Sequence, residues 1–246
     1  MESPLPSKSV FLTGASSGIG AAIARLLVAR GHRVWATARR MDMLEAVAEE
    51  AAAGAQGEGR MVPYALDVLD PAAQQEAVAR CVAAFGGLDV AIPNAGLGVF
   101  SPMDQADLAD WHTMVDVNVK GVLTTLHVCL PHLIESSGLV VQIGSVASRM
   151  VFPNSGVYCA TKHAVLAMGE AIRQDLKSQV ASTTICPGAV DTSFIEQTRD
   201  PSLLDQYRPG FKQGMQPEFV ALQVLHAMEA RGQGVISDIT IRPDLA

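Results

Sequence analysis

Residues 10–20 read VFLTGASSGIG, an apolar run that stops at Gly14 and continues through Gly18 and Gly20 into a helical pattern. The β-branched and aromatic residues of Val10–Thr13 favour a strand. Apolar residues recur at helical spacing after the glycines, which favours an amphipathic helix. The sequence therefore predicts a strand, a glycine-rich turn and a helix in direct succession.

The rest of the chain repeats this alternation of short apolar strands with longer helices. The further predicted strands are 34–37, 61–66, 90–92, 139–143, 183–185 and 235–241, and the further predicted helices are 41–53, 71–85, 108–135, 158–180 and 217–232. Strict alternation predicts a parallel sheet of about seven strands with helices on both faces, which is a doubly wound, Rossmann-type α/β fold. Residues 189–216 have no clear period, and long stretches of this kind often cover a ligand. We predict one Rossmann-type domain over residues 1–246, with a substrate lid at about 189–216.

The composition excludes several classes of protein. The 246 residues are 49% hydrophobic and 17% charged, with a net charge of −7. These values exclude a disordered or collagen-like chain and, in the absence of a basic stripe, argue against nucleic-acid binding. Charged residues interrupt the apolar runs before the roughly 18 residues of a membrane span. The four cysteines form no CxxC pair, and residues 1–8 lack a signal-peptide pattern. We therefore expect a cytoplasmic protein with no nucleic-acid, membrane or metal partner.

The glycine-rich turn predicts a dinucleotide site. Gly14 can make the tight turn, Gly18 lets the backbone approach a pyrophosphate, and Gly20 lets the helix pack closely on the sheet. The helix N-terminus then offers N–H groups and a partial positive charge to the phosphates. The spacing GxxxGxG differs from the commoner GxGxxG, and the alternative is a glycine-rich turn that binds nothing. The predicted contacts in this turn are Gly14, Ser16, Ser17, Gly18, Ile19 and Gly20.

Two arginines at the end of the second predicted strand favour NADP(H) over NAD(H). A cofactor with a free 2′-hydroxyl usually meets an acidic residue about 20 residues after the glycine loop. No Asp or Glu lies between Gly31 and Met41, where Arg39 and Arg40 stand instead. An arginine can bind a 2′-phosphate through two parallel hydrogen bonds. We predict NADP(H), with Arg39 preferred over Arg40 as the contact; the alternative is a pair of solvated arginines.

Three polar residues later in the chain are the candidate catalytic groups. Tyr158 and Lys162 lie four residues apart in a predicted helix, so they share one face. A nearby ammonium stabilises phenolate and lowers the pKa of the tyrosine, which would make it a usable acid or base. Ser145 follows the apolar strand 139–143 at the carboxyl edge of the sheet, where ligands of open α/β sheets bind. Its hydroxyl could hold a carbonyl oxygen beside the phenol.

The order and spacing of these motifs resemble the single-domain short-chain dehydrogenases/reductases over residues 9–243. Each motif is modest alone, and their order makes the resemblance specific. The matching motifs are the TGxxxGIG loop, Asp67-Val68, Asn94-Ala95-Gly96, Asn118, Ser145, the YxxxK pair at Tyr158 and Lys162, and Pro187-Gly188-Ala189-Val190-Asp191-Thr192.

The resemblance implies a role for each matching residue. Tyr158 would be the general acid/base, and Ser145 would polarise the substrate carbonyl. Lys162 would lower the pKa of Tyr158 and bind the nicotinamide ribose, and Asn118 would hold a water in a proton relay with Lys162. The implied cofactor contacts beyond the glycine turn and the arginines are Asp67, Val68, Asn94, Ala95, Gly96, Tyr158, Lys162, Pro187, Gly188, Val190 and Thr192.

One residue departs from the family pattern. The family usually has a second asparagine before Asn94, and this chain has Pro93 there. Proline lacks a backbone donor, which places the hydrogen bonding at this strand end in doubt.

The sequence predicts no metal site at His127, His132 and Cys129. These residues lack further ligands, so we predict that they pack rather than bind a metal.

The leading functional hypothesis is NADPH-linked reduction of a small ketone or aldehyde, or the reverse oxidation of a hydroxy compound. The alternative from another class is a catalytically idle NADP(H)-binding sensor or regulator on the same fold. A sugar-nucleotide epimerase is a weaker alternative, because such relatives usually carry a longer C-terminal substrate domain.

Two segments outside the catalytic motifs bear on the substrate. The TARR strand end and the terminal Ile-Arg-Pro resemble relatives that act on short 3-hydroxy acids and serine-like compounds. Arg199 or Arg208 in the lid could hold a carboxylate; the alternative is that both are solvated.

The resemblance also implies a homotetramer, or a dimer if the second contact is weak. In relatives, the long helix from Leu108 and the Tyr158 helix pair with symmetry mates, and the C-terminal strand forms a second contact. The small and apolar residues Ala167, Ala171 and Leu176 fit such an interface.

Overall fold

In the computed structural model, which describes residues 6–244, seven parallel strands form one sheet. The strands are β1 (Ser9–Thr13), β2 (Arg33–Ala38), β3 (Arg60–Ala65), β4 (Val90–Ile92), β5 (Leu139–Ile143), β6 (Ala181–Pro187) and β7 (Asp238–Ile241). Their order across the sheet is β3-β2-β1-β4-β5-β6-β7, which confirms the predicted fold. Residues 1–5, where part of the signal-peptide expectation falls, lie outside the described residues. The single domain over 1–246 stays a prediction.

The helices connect successive strands. They are α1 (Gly18–Ala29), α2 (Met41–Ala53), α3 (Pro71–Phe85), α4 (Leu108–Val115), α5 (Val122–Ser136), α6 (Gly156–Asp175), α7 (Pro201–Lys212) and α8 (Pro217–Glu229). Local capping sets several of these bounds. The Asp70 carboxylate accepts a hydrogen bond from the Ala73 N–H at 3.0 Å, Pro71 is the first residue of α3, and Gly86 ends the helix with a φ of 78°.

Alternating residues of the central strands build a core on each face of the sheet. Val10 and Leu12 of β1 pack with α1, α2 and α8, and Phe11 between them packs with α3, α5 and α6. β1, β4, β5 and β6 are buried along their whole length. A buried parallel sheet of this kind fixes the positions of the loops at its carboxyl edge.

The segment predicted as one helix over 108–135 is helical throughout but contains a π-helical turn. This turn, Asp116–Gly121, joins α4 to α5 and carries Asn118. By length and composition alone Leu108–Ser136 could cross a membrane, because the mean hydropathy of its most apolar window is 1.2. The expectation that charges interrupt every such run is therefore wrong. In the structure 39% of that window is buried, with Leu126 and Leu133 in the core.

The lid contains more regular structure than its sequence suggested. Within the predicted loop 189–216, residues Ser193–Gln197 form a 3-10 helix and Pro201–Lys212 form α7. The Asp200 carboxylate caps α7 by accepting from the Ser202 N–H at 2.8 Å. The two ends of the lid meet, because Val190 and Met215 form an isolated β-bridge.

Two predicted bounds also move at the carboxyl half of the chain. The helix predicted to reach Val180 ends at Asp175, and the strand predicted from Val235 begins at Asp238. Val180 lies in the connection between α6 and β6, where its side chain packs in the core.

The order of the strands reverses beside β1, and this reversal opens a crevice at the carboxyl edge. β1 lies between β2 and β4, so the connections after β1 and after β4 leave in opposite directions. β4 ends at Ile92, before Pro93, so the missing donor falls outside the strand ladder. The Thr13 hydroxyl accepts there from the backbone N–H groups of Asn94 and Ala95, at 3.1 and 3.0 Å.

Candidate active site

A cavity of about 1040 Å³ runs along this crevice from the glycine turn to the lid. The predicted cofactor residues that line it are Gly14, Ser16, Ser17, Gly18, Ile19, Gly20, Arg39, Arg40, Asp67, Val68, Asn94, Ala95, Gly96, Tyr158, Lys162, Pro187, Gly188, Val190 and Thr192. Ser145 lines the same cavity, and Asn118 lies behind it, with its Oδ1 3.2 Å from the Cβ position of Gly96. The structure therefore brings the sequence-predicted site residues together.

The glycine turn has no room for larger side chains at two positions. A Cβ at Gly20 would lie 2.2 Å from the Gly14 carbonyl oxygen, and one at Gly14 would lie 2.8 Å from the Ala95 Cα. Ser17 precedes α1 in an extended conformation and makes no side-chain capping bond. The first N–H groups of α1 are therefore available to a ligand at the edge of the cavity.

Arg40 lies over the glycine turn. Its Nη2 donates to the Ser16 hydroxyl at 3.5 Å, which places a guanidinium beside the residues expected to bind the cofactor phosphates. Arg39 lines the same end of the cavity and is exposed. Both arginines are therefore placed to reach a phosphate, and the sequence-based preference for Arg39 stays a prediction.

A short 3-10 helix after β5 holds Ser145. The helix spans Val146–Ser148, and the Ser145 hydroxyl accepts from the Ala147 N–H at 3.1 Å. The Ser148 hydroxyl accepts in turn from the Ser145 N–H at 3.1 Å. These two bonds fix Ser145, which is 8% exposed, at the wall of the cavity. Ser148 was not predicted from the sequence; its three-residue spacing from Ser145 was the available signal.

Tyr158 and Lys162 lie one turn apart on α6 and are both buried, at 8% and 6% exposure. The Lys162 Nζ donates to the Ile143 carbonyl at 2.9 Å and lies 6.0 Å from the centroid of the Tyr158 ring. Burial lowers the pKa of Lys162 to about 8. Burial also raises the pKa of Tyr158, while a hydrogen bond with the Ser145 hydroxyl lowers it by less.

The pKa of Tyr158 is thus shifted in the opposite direction from the sequence-based expectation. The reason is that removal of the phenol from water disfavours the phenolate. The Lys162 ammonium makes its hydrogen bond to the Ile143 carbonyl and not to the phenol. At neutral pH the phenol therefore keeps its proton.

Asn118 connects three elements behind the cavity. Its Nδ2 donates to the Leu97 carbonyl at 2.8 Å and to the Thr161 hydroxyl at 3.1 Å, and its Oδ1 accepts from the Leu97 N–H at 2.9 Å. Thr161 lies beside Lys162 and donates to the Tyr158 carbonyl at 2.7 Å. The Asn118 side chain therefore positions the helix that carries the candidate acid, and the water relay stays a prediction.

Aromatic side chains line the part of the cavity beyond Tyr158. We call Phe100, Phe194, Tyr207 and Phe211 the aromatic wall; each of them lines the cavity. Phe100 and Phe194 meet the Tyr158 ring edge-on at centroid distances of 6.0 and 5.3 Å. This wall was not predicted from the sequence. Its signal was the helical spacing of Tyr207 and Phe211 after the Asp200-Pro201 helix start.

The two lid arginines are paired with carboxylates. Arg199 donates to Asp110 of α4 at 2.7 Å, and its Nη1 lies 3.7 Å from Asp107. Arg208 bonds to Glu196 at 2.9 and 3.2 Å. Both side chains are also open to solvent, as the second alternative from the sequence expected. Arg199 thus links the lid to α4, and Arg208 links α7 to the 3-10 helix of the lid.

Comparison with known proteins identifies the family. The family profile for short chain dehydrogenase matches residues 8–202. An uncharacterized oxidoreductase of Staphylococcus saprophyticus is 33% identical over 240 residues, which are 96% of this chain and 96% of that protein. An alcohol dehydrogenase from the archaeon Thermococcus sibiricus, solved with 5-hydroxy-NADP, is 29% identical, with a TM-score of 0.85 over 98% of both chains. A short chain dehydrogenase/reductase from Burkholderia phymatum, solved with NAD, is 24% identical, with a TM-score of 0.85 over 97% of this chain and 90% of that one.

Proposed function

The chain belongs to the short chain dehydrogenase family of oxidoreductases, and from that premise we propose that it is an NADP(H)-dependent carbonyl reductase acting on a small ketone or aldehyde. The observation that carries the proposal is one cavity that joins the glycine turn to the buried Tyr158, with Ser145 and Lys162 beside it. In the reverse direction the same groups would oxidise an alcohol.

The residues present fit a dinucleotide. The Cβ positions of Gly14 and Gly20 are closed by backbone, which brings the turn and the N-terminus of α1 close to the cavity. The solved relatives include structures with NADP-type and NAD ligands, so the choice between them depends on this chain's own residues. Arg40 beside Ser16 supports NADP(H), because a guanidinium offsets the charge of a 2′-phosphate.

Each catalytic group has one task in the proposed reaction. When bound, NADPH would supply a hydride, that is a proton with two electrons, to the carbonyl carbon. The Ser145 hydroxyl holds and polarises the carbonyl oxygen, and the Tyr158 phenol donates a proton to that oxygen to give the alcohol. Lys162, with a pKa of about 8, is mostly charged at pH 7 and stabilises the phenolate until solvent returns the proton.

The protonation state of Tyr158 suits the catalysis of reduction at neutral pH. A buried phenol that keeps its proton is already in the acid form that reduction needs. Alcohol oxidation needs the phenolate instead. Its rate is therefore expected to rise with pH above neutrality.

Consumption of NADPH at 340 nm with a panel of aldehydes and ketones tests the proposal. Tyr158→Phe removes one hydroxyl and keeps the ring, so it should lower kcat by roughly 10²–10⁴-fold with little change in NADPH affinity. Near-normal turnover in this variant would contradict the assigned mechanism. Tight NADPH binding without turnover of any carbonyl would favour the idle sensor.

A further inference from the structure

The aromatic wall lies where the rest of a substrate must lie. A carbonyl that reaches the Tyr158 phenol places its neighbouring groups against Phe100 and Phe194, since both rings contact Tyr158. Phe211 extends the wall behind them, with its ring 6.3 Å from Phe194 and nearly parallel to it. The wall is contributed by the loop after β4 and by the lid, so lid and domain together define the shape of the site.

The one hydroxyl of the wall is already satisfied. The Tyr207 hydroxyl accepts a hydrogen bond from the Asn154 amide at 3.1 Å and donates to the Pro153 carbonyl at 3.2 Å. Asn154 adopts a left-handed conformation, with a φ of 61°. These bonds hold the Tyr207 ring beside Phe100, at a centroid distance of 5.4 Å. The wall therefore presents the carbon atoms of its rings to a substrate.

The basic residues that line the cavity lie away from the wall or are paired. Arg39 and Arg40 stand at the glycine-turn end, and Lys162 is bonded to the Ile143 carbonyl. Arg242 is exposed and follows β7, beside Gly188. Glu196 is the acidic residue at the lid side of the cavity, and its carboxylate is paired with Arg208. A substrate carboxylate against this wall would lose its hydration without a cation in return.

We propose that the substrate is a ketone or aldehyde whose carbonyl carries an uncharged aromatic or cyclic apolar group, and not a short hydroxy acid or its keto form. This inference rests on the proposed function, because it names the substrate class of the same site. The reaction is the balanced reduction R₂C=O + NADPH + H⁺ → R₂CHOH + NADP⁺, with the proton delivered by Tyr158. The ring of the substrate packs against Phe100, Phe194 and Phe211, and burial of its surface supplies the affinity.

Matched ketones test the charge of the substrate. Acetophenone and the bicyclic 1-tetralone are compared with 4-acetylbenzoate, with the uncharged 4-acetylbenzamide and with 3-oxobutanoate, by NADPH oxidation. We expect kcat/KM for acetophenone to exceed that for 4-acetylbenzoate by about 100-fold, because a buried carboxylate without a cationic partner loses hydration that nothing replaces. The amide should fall between the two. A kcat/KM higher for either carboxylate than for acetophenone would overturn the inference. If that activity on the carboxylate were lost in Arg242→Gln, Arg242 would be the cation that binds it.

Two variants test the wall itself. Phe211→Leu removes a ring that does not contact Tyr158, so it should lower kcat/KM for acetophenone by up to about tenfold and lower that for butanone by clearly less. Phe219→Leu is the matched control, because Phe219 is an exposed ring at the start of α8 that does not line the cavity. An equal loss for both ketones in Phe211→Leu would overturn the role of the wall.

Ligand binding separates this inference from the proposed function. If no ketone is reduced, saturation-transfer NMR with the protein and NADP⁺ compares 1-phenylethanol with 4-(1-hydroxyethyl)benzoate. Preferential binding of the uncharged alcohol, weakened in Phe211→Leu, would support the wall while the reductase proposal fails. Binding of neither alcohol, or stronger binding of the carboxylate, would overturn the inference.

Discussion

Replacing Lys162 with methionine should stabilise the fold at neutral pH while it removes activity. Lys162 is 6% exposed, and burial lowers its pKa from 10.5 to about 8. At about 1.4 kcal/mol per pH unit between these two values, burial of the ammonium costs about 3 kcal/mol. Methionine fills similar space without a charge. Loss of the hydrogen bond to the Ile143 carbonyl destabilises the variant by about 1 kcal/mol. The free energy of unfolding at pH 7 should therefore rise by about 2 kcal/mol in total.

The pH dependence of this gain follows from the direction of the shift. Below about pH 8 the lysine is charged in the folded and unfolded chains, so the cost is fully present. Between about 8 and 10.5 only the unfolded chain keeps the proton, and this group makes the wild-type free energy of unfolding rise with pH by about 3 kcal/mol. The advantage of Lys162→Met should therefore vanish and reverse over this window.

Urea unfolding at a series of pH values, at one fixed protein concentration and without added cofactor, measures this difference. Subtracting the wild-type curve from that of the variant cancels the other groups that titrate in the same range. Lys177→Met is the control, because Lys177 is exposed; its difference curve should be flat. A Lys162→Met protein less stable than wild type at pH 7, with a difference independent of pH, would refute the reasoning.

Three further outcomes are expected. NADPH should bind at least about tenfold more tightly than NADH, about 1.4 kcal/mol, and Arg40→Ala should reduce that preference; equal affinities in fluorescence titrations would contradict the cofactor assignment. Gly20→Ala places a Cβ 2.2 Å from the Gly14 carbonyl oxygen, so it should cost about 1–3 kcal/mol in urea unfolding and weaken NADPH binding, whereas Gly234→Ala, which meets open space, should change neither. Light scattering should show a tetramer or dimer, since α5 exposes Leu123 and Ile134, and α6 exposes the small residues Ala167 and Ala171; a monomer at all concentrations would contradict this.

Elements with local signals were predictable from the sequence almost to the residue. α2, α3, β4 and β5 have the predicted bounds, because a cap, a proline or a glycine stands at or beside their ends. Asp70, Pro71 and Gly86 do this for α3. The candidate catalytic set could be predicted for a related reason. Ser145 and Tyr158 belong to motifs whose position after a strand or on one helix face already implies proximity.

Features that depend on distant parts of the chain could not be predicted in this way. Arg199 was free to bind a ligand as far as the sequence showed, and its partner Asp110 lies 89 residues away. The pKa of Tyr158 depends on how completely the surrounding elements remove it from water, which no local pattern reports. The aromatic wall is also assembled from separate segments, and within it only Tyr207 and Phe211 share a local signal.

The bridge between Val190 and Met215 has a consequence for how this fold can change. The Asp191 N–H donates to the Met215 carbonyl at 2.9 Å, and the Met215 N–H donates to the Ala189 carbonyl at 3.0 Å. The intervening segment thus leaves and rejoins the domain at a single point, and the cost of closing such a loop grows only slowly with its length. Insertions, deletions or wholesale replacement between these two residues need not disturb β6 or α8. Residues 193–214 can therefore be exchanged to change the aromatic wall, while Ser145, Tyr158 and Lys162, the groups proposed for hydride transfer, lie outside this segment.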